Sequence, residues 1–85
     1  MVAAMSDDAT LAAVPMRTPV MLGSPRLDAA RTRRLAELGL RAGAEVVVLH
    51  RTPGGGRVVA VEDSRIAIDR TTLRALPVRT TGVPR

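Results

Sequence analysis

The feature of the sequence that most constrains the fold is the segment 33–49, RRLAELGLRAGAEVVVL, which joins a helix end to an apolar strand. A stripe of leucine and alanine, flanked by arginine and glutamate, predicts a helix over Ala29–Leu38. Gly39 follows at the position where a left-handed conformation costs little only for glycine, and Leu40 can fold back onto Leu35. The pattern therefore predicts a Schellman stop.

The residues after this stop predict a series of short strands joined by tight turns. Gly43 lies where a type II turn over Arg41–Ala44 requires positive φ. Residues 45–51 then predict a strand that is apolar on both faces, which is typical of a central strand or of one that curls around a barrel. Before the helix, a strand is expected within 19–27, and Asp28 is the expected helix cap. After residue 51, strands are expected over 57–62 and 65–69, joined by a turn at Asp63–Ser64. A helical turn over 70–76, capped by Thr71 or Thr72, and an edge strand over 77–79 complete the prediction.

These elements predict a mainly β fold, a small SH3-like β-barrel with one N-terminal helix and a short late helical turn, because closure removes bare sheet edges. Residues 1–18 lack a periodic pattern and are interpreted as a disordered arm, residues 19–79 as the folded domain and residues 80–85 as a tail. With 85 residues, no cysteine and no aromatic residue, stability must come from a compact aliphatic core or from a partner.

The basic charge of the chain leaves several kinds of partner open. All thirteen basic residues are arginine and the formal net charge is +5, which suits nucleic acid, an anionic membrane surface or an acidic protein, although a genomic bias toward arginine gives the same count. Without aromatic rings the chain cannot line a groove for proline-rich peptides or stack bases. No apolar run approaches the ~20 residues that span a bilayer, and the start is a poor signal peptide, so the expected location is the cytoplasm.

Few residues could support catalysis or metal binding. The sole histidine, His50, ends a strand, and the pattern places no serine or acid beside it. Ferrous sites need histidine together with carboxylates, and thiolate sites need cysteine. The glycines of Thr52–Gly56 could cradle a phosphate, but no Lys-Ser/Thr and no helix follow them, which favours a hairpin tip. The sequence therefore predicts a protein that is not an enzyme and has no catalytic, cofactor or metal site.

Five motifs follow one another over about residues 31–79. They are the stop Leu38–Leu40, the turn at Gly43, the valine-rich strand, the tip Arg51–Gly54 and the strand Ile66–Arg70. This order closely resembles the FeoA family of small bacterial ferrous-iron transport accessory proteins. The resemblance implies a cytoplasmic SH3-like domain that works with FeoB, a large membrane ferrous-iron transporter with a cytoplasmic GTPase domain. The same fold also occurs as the C-terminal domain of some metal-dependent repressors.

The sequence departs from the family pattern at two places. Ala42 stands where the family prefers proline before the turn glycine, which leaves the turn less preorganised. Gly54–Gly56 stand where the family commonly has an apolar residue and an aspartate in the tip. A contact that the family makes through its tip would therefore be weakened or absent in this chain.

The resulting hypothesis is an interaction module that binds the cytoplasmic part of a FeoB-like transporter and tunes its activity. Structural roles in the stop and turn are assigned to Gly39, Leu40 and Gly43. The candidate binding surface is an arginine-rich rim that comprises Arg33, Arg34, Arg41, Arg51, Pro53 and Arg57. The alternatives are a basic SH3-like module that binds nucleic acid, which the missing aromatics and lysines disfavour, or a metalloregulator-type interaction domain. An exposed strand edge could also pair two copies.

Overall fold

One antiparallel sheet and two helices dominate residues 9–80, the part of the chain that the computed structural model describes. In chain order the elements are β1 (Val20–Leu22), α1 (Ala29–Glu37), β2 (Glu45–Arg51), a 3₁₀ turn (Pro53–Gly55), β3 (Arg57–Val61), β4 (Ser64–Ile68), α2 (Arg70–Arg74) and β5 (Val78–Thr80). The strands pair in the order β4-β3-β2-β1-β5. The mainly β fold with one early helix and a short late helical segment is therefore confirmed. Neither helix within this range is long and apolar enough to cross a membrane.

The core is one aliphatic cluster that takes alternate residues from the two longest neighbouring strands. Val46 and Val48 of β2 and Val59 and Val61 of β3 are buried, while the residues between them remain partly exposed. This alternation is the two-residue period of a strand. Among residues 9–80 no buried polar or charged side chain interrupts the cluster. Its other members are Leu11, Val14, Val20, Leu22, Leu40, Ile68, Leu73, Leu76 and Val78.

The end of α1 has the hydrogen bonds of a Schellman motif. The Leu40 amide donates to the carbonyl oxygen of Leu35 at 2.9 Å, and the Gly39 amide donates to that of Ala36 at 3.0 Å. Gly39 has a φ of 100°, which a side chain would strain, and Leu40 is fully buried. Gly43 has a φ of 91° in the turn that follows. These local contacts direct β2 into the core immediately after the helix.

The N-terminal segment joins the core earlier than the sequence indicated. Residues 1–8 lie outside the described part of the chain, but Leu11 is fully buried and Val14 is 6% exposed. Over residues 9–18 the structure thus differs from the disordered arm that the sequence predicted for residues 1–18. Leu11 and Val14 lie in a four-residue apolar run, which is too short to give a periodic signal, and contacts with distant parts of the chain determine their burial.

Three backbone hydrogen bonds attach this segment to the rest of the fold, one of them from the Val78 amide of β5 to the Ala9 carbonyl oxygen at 3.1 Å. The Leu11 amide donates to the carbonyl oxygen of Leu76 at 3.0 Å, just before β5. Further along, the Arg17 amide donates to the carbonyl oxygen of Val48 at 2.7 Å. The pairing of β2 with β3 shifts by one residue between Val48 and His50. The Val48 carbonyl oxygen lies on the side of β2 that pairs with β1, so the bond from the Arg17 amide extends the β1–β2 pairing toward the N-terminus.

A few element ends differ from the sequence prediction. The cap of α2 is Asp69, not Thr71 or Thr72, since its carboxylate accepts hydrogen bonds from the Thr72 amide at 3.2 Å and the Thr72 hydroxyl at 2.6 Å. The turn between β3 and β4 lies at Glu62–Asp63, one residue earlier than predicted. Thr80, which was assigned to the tail, is the last residue of β5, and residues 81–85 lie outside the described part.

Candidate functional site

The residues predicted to bind a partner are divided among different concavities of the surface. Those near the helix stop are Arg33, Arg34 and Arg41, and those near the hairpin tip are Arg51, Pro53 and Arg57. In the first set only Arg34 lines a groove, which runs beside α1. In the second set Arg51 and Arg57 line one depression, and Pro53 lines a smaller one. Arg33 and Arg41 are exposed outside these concavities.

The first concavity, which we call the helix groove, is mostly aliphatic. It has a volume of about 210 Å³ and is lined by Leu27, Arg31, Arg34, Leu35, Leu38 and Thr72. None of the residues of α1 is buried, and Leu38 at its C-cap remains 48% exposed. A single exposed leucine is ordinary, but one that lies beside two partly buried leucines on a concave face is typical of a binding surface. The groove is therefore a partly exposed apolar surface, in which Leu27 and Leu35 pack against the core and Leu38 lies open.

Arginine side chains form the polar rim of the helix groove. The Arg31 guanidinium lies 3.9 Å from the Asp28 carboxylate, and both side chains are about two-thirds exposed. Such a surface pair contributes little to stability. Asp28 acts mainly as the N-cap of α1, as predicted, because it accepts a hydrogen bond from the Arg31 amide at 2.8 Å. Arg34 makes no ion pair with any residue of the 9–80 range.

The second concavity, which we call the arginine pocket, lies at the tip of the β2–β3 hairpin. It has a volume of about 420 Å³, and its lining includes four arginines and two glycines: Arg51, Arg57, Arg70, Arg74, Gly55 and Gly56. The two hairpin arginines lie side by side on one face of the sheet because Arg51 pairs with Arg57 in the strand register. The other two lie four residues apart on α2, so they share one face of that helix. Three chain segments thus bring four positive charges around one depression.

Arg57 has a structural contact that the sequence did not reveal. Its Nη1 donates hydrogen bonds to the carbonyl oxygens of Leu11 at 3.1 Å and Val14 at 2.6 Å. The side chain is partly buried, and this desolvation, followed by repulsion from Arg51, lowers the pKa of Arg57. The predicted partner-binding residue therefore attaches the N-terminal segment to the tip. Arg57 is also one of the residues that line the arginine pocket.

The glycines of the tip make room for the arginines around them. At Gly55, which has a φ of 90°, an added Cβ would lie 3.0 Å from Cδ of Arg70. At Gly56 an added Cβ would lie 2.7 Å from the Thr52 hydroxyl and 2.8 Å from the Ile68 carbonyl oxygen. The tip thus packs so closely against Ile68 and Arg70 that only glycine fits at position 56 without displacement of backbone.

The described residues offer recognition chemistry more clearly than reaction chemistry. His50 is exposed, its Nδ1 lies 3.3 Å from the carbonyl oxygen of Arg51, and it forms no ion pair with a carboxylate of residues 9–80. Within the same range no group of three histidine, cysteine or acidic side chains is placed to hold a metal ion. What the arrangement can do is bind: an apolar segment in the helix groove and an anion in the arginine pocket.

Sequence reasoning missed several residues of both concavities. Arg70 and Arg74 were not among the candidates, although their four-residue spacing in a predicted helical turn places them on one face. Leu27, Leu35 and Leu38 were interpreted as the buried stripe of a helix, whereas they are half-buried or exposed. Periodicity identifies the apolar face of a helix, but it does not show how much of that face the rest of the fold covers.

Comparison with known protein families gives one clear match. The family model described as the FeoA domain matches residues 22–80, which include every strand and both helices of the fold except the first two residues of β1. No curated protein matches the chain.

Solved structures agree with this match. The solution structure of the FeoA protein from Chlorobium tepidum has a TM-score of 0.80 at 23% identity, over 89% of this chain and 73% of that chain. The zinc complex of FeoA from Stenotrophomonas maltophilia, described as a prokaryotic SH3 domain protein, has a TM-score of 0.68 at 34% identity, over 81% and 87%. The manganese regulator SloR has a TM-score of 0.72 at 12% identity over 34% of its length, which shows the fold alone. The predicted SH3-like fold is thereby confirmed.

Proposed function

The chain belongs to the FeoA family, and from that membership we propose that it is a non-enzymatic accessory protein of ferrous iron transport. In this proposal it works in the cytoplasm, where it binds the cytoplasmic part of a FeoB-like membrane GTPase-transporter and tunes the activity of that transporter. Support comes from the family match over residues 22–80. Further support comes from the 34% identical Stenotrophomonas maltophilia protein, which is described as a candidate ferrous iron transport activating factor.

The observation on which the proposal rests is the uncovered helix groove. α1 buries none of its residues, and Leu38 exposes about half of its surface beside the half-buried Leu35. Each leucine-sized side chain that becomes fully buried on docking contributes about 1.5–3 kcal/mol. A groove of this size accepts one or two such side chains, as a short amphipathic segment of a partner would present.

The charge around the groove favours an acidic partner segment. Arg31 and Arg34 lie on the rim, and Arg33 is exposed on the same helix. Arg41 is exposed beyond the stop, 4.0 Å from Glu62, in a pair that is too exposed to neutralise it strongly. Exposed charges at a rim mainly raise the association rate and select the partner. The occupant that we propose is therefore a segment of the transporter's cytoplasmic part with apolar anchors flanked by carboxylates.

The test is a titration of the full chain with the purified cytoplasmic part of a FeoB-like transporter, followed by calorimetry or fluorescence anisotropy. Leu38→Glu places a negative charge in the groove at an exposed position that the core does not need. We expect this substitution to weaken binding by about tenfold or more, since it removes an apolar contact and repels acidic residues. The matched control is Met21→Glu on β1, which changes another exposed apolar residue, 38% accessible, outside the groove.

Two results would overturn the proposal. One is an absence of binding by the unmodified chain at partner concentrations of tens of micromolar. The other is equal weakening by the Leu38 and Met21 substitutions, which would place the contact elsewhere. Circular dichroism of both variants should match that of the unmodified chain, so that loss of fold is separated from loss of contact.

The two alternatives from the sequence have weaker support. The likeness to a manganese regulator is at 12% identity and shows only that the fold is shared. Nucleic-acid binding would draw on the same arginines, and the same titration with a short duplex at two salt concentrations measures it. Duplex binding that weakens steeply with salt, together with an absence of binding to the transporter fragment, would favour that alternative over the proposed function.

A further inference from the structure

We propose that the arginine pocket at the hairpin tip is a binding site for a multiply charged phosphate group, such as pyrophosphate or the phosphate chain of a nucleotide. The site lies outside the helix groove and does not depend on the transporter partner proposed above. Its four arginines come from the end of β2, the start of β3 and one face of α2.

The charge of this pocket is not neutralised within the described chain. Two ion pairs are present among residues 9–80, Arg31 with Asp28 and Arg41 with Glu62, and neither includes a pocket arginine. The carboxylate next in sequence, Asp69, accepts both of its short hydrogen bonds from Thr72. Four cations around one depression repel one another, so an anion placed among them relieves that repulsion as well as gaining its own contacts.

The pocket is also held in place by the backbone. Arg51 and Arg57 face each other across the β2–β3 pair, and Arg57 is fixed through its hydrogen bonds to the Leu11 and Val14 carbonyl oxygens. The aliphatic part of Arg70 lies against the tip at Gly55. Preorganised guanidinium groups lose less freedom when they bind an oxyanion, and their planar donors match pairs of phosphate oxygens.

The size and lining of the pocket favour a compact anion over an extended acidic peptide. A volume of about 420 Å³ lies at the lower end of the range for small-ligand sites. A di- or triphosphate concentrates several charges within that space, whereas successive carboxylates of an extended peptide are spaced at about 3.3 Å per residue along a line. Beyond the arginines the lining consists of small residues, Ala12, Thr52, Gly55 and Gly56, and offers no large apolar surface for a peptide anchor.

The test is isothermal titration of the full chain with pyrophosphate, with inorganic phosphate as the lower-charge comparison. The informative variant is the double substitution Arg70→Gln and Arg74→Gln, because both side chains are exposed and neither holds the N-terminal segment. Its matched control is Arg65→Gln with Arg79→Gln, which removes the same charge from exposed positions on β4 and β5 outside the pocket. We expect the first pair to weaken pyrophosphate binding by about tenfold or more and the control by about twofold or less.

Further arms of the experiment identify the source of the phosphate. Binding of pyrophosphate or a nucleoside triphosphate that depends on Arg70 and Arg74 supports a free phosphate compound. Sedimentation with phosphatidylglycerol vesicles that depends on the same two residues, without pyrophosphate binding, supports the site with a lipid headgroup as its ligand. Equal loss of pyrophosphate binding in both double variants would overturn the proposal, since the effect would then follow net charge. Preferential binding of a nucleic-acid duplex that both double variants weaken alike would overturn it for the same reason. Loss of transporter binding in the Leu38 variant leaves this result unchanged, so the two proposals can fail separately.

Discussion

The two helices of this domain differ in what they contribute. α1 is nine residues long and buries none of them, whereas α2 has five residues and buries Leu73 completely. α1 is fixed at its ends by the Asp28 cap and the Leu40 stop, and along its length by the partly buried Leu35. α2 is fixed by a core residue and by the Asp69 cap. The longer helix is therefore a surface element that presents an apolar face, and the shorter one is part of the core.

This difference extends to the two candidate surfaces. The helix groove is built on an element that other parts of the chain hardly cover, so its shape can adapt to a partner at small cost. The arginine pocket is built on the hairpin tip, on α2 and on a side chain that is hydrogen-bonded to the N-terminal segment. The first arrangement suits an apolar protein contact, and the second suits a small ligand that requires fixed donors.

The largest effect should come from shortening the buried leucine of α2. Leu73→Ala should lower the free energy of unfolding by about 2–5 kcal/mol, because it leaves a cavity in a fully buried site. Leu35→Ala on α1 should lower it by about 1 kcal/mol, since that side chain is only partly buried. Urea denaturation of the two variants measures both values. Equal losses would contradict the distinction between a core helix and a surface helix.

An intermediate effect is expected from Arg57→Gln. The shorter side chain cannot reach both carbonyl oxygens of the N-terminal segment, so about 1–2 kcal/mol of stabilisation should be lost. The loss should be local: hydrogen exchange at the Leu11 amide should accelerate more than exchange at the Val59 amide in β3. Arg65→Gln, at an exposed position on β4, serves as the control. Uniform acceleration at both amides would show that the segment is not a separately attached unit.

The part of the fold that could be predicted is the part that local rules determine. A helix cap, a glycine stop, a turn glycine and alternating valines each depend on neighbours within a few residues, as the contacts of Gly39 with Ala36 and of Asp28 with Arg31 show. The burial of Leu11 could not be predicted, because it depends on a contact with Leu76 sixty-five residues away. Residue type alone does not encode such a pairing.

The candidate sites were predictable to a smaller extent. The sequence identified arginine as the main surface chemistry and named Arg51 and Arg57, but strand register was needed to place them opposite each other. Arg70 and Arg74 join them only because β4 returns α2 to the hairpin tip. The helix groove could not be predicted because its leucines follow the sequence pattern of a buried helix face. Only the three-dimensional structure shows whether another element packs against an apolar face or leaves it exposed.

The smallest effect concerns the cap of α2 and its dependence on pH. Hydrogen bonds from the Thr72 side chain and backbone lower the pKa of Asp69 in the folded state. As the pH falls, Asp69 therefore becomes protonated in the unfolded chain before it does so in the folded one. The stabilisation from the ionised cap is present above the unfolded pKa and is lost as the pH falls through the folded pKa. Asp69→Asn keeps a good cap but does not titrate, so the variant and the unmodified chain should have similar stability at neutral pH. Towards about pH 3 the unmodified chain should lose stability relative to the variant, by less than about 1 kcal/mol because the site is exposed. Urea denaturation of both chains at the two pH values measures this difference in stability, because all other carboxylates are common to both chains. A stability difference that does not change with pH would contradict the role of an ionised Asp69 in holding α2.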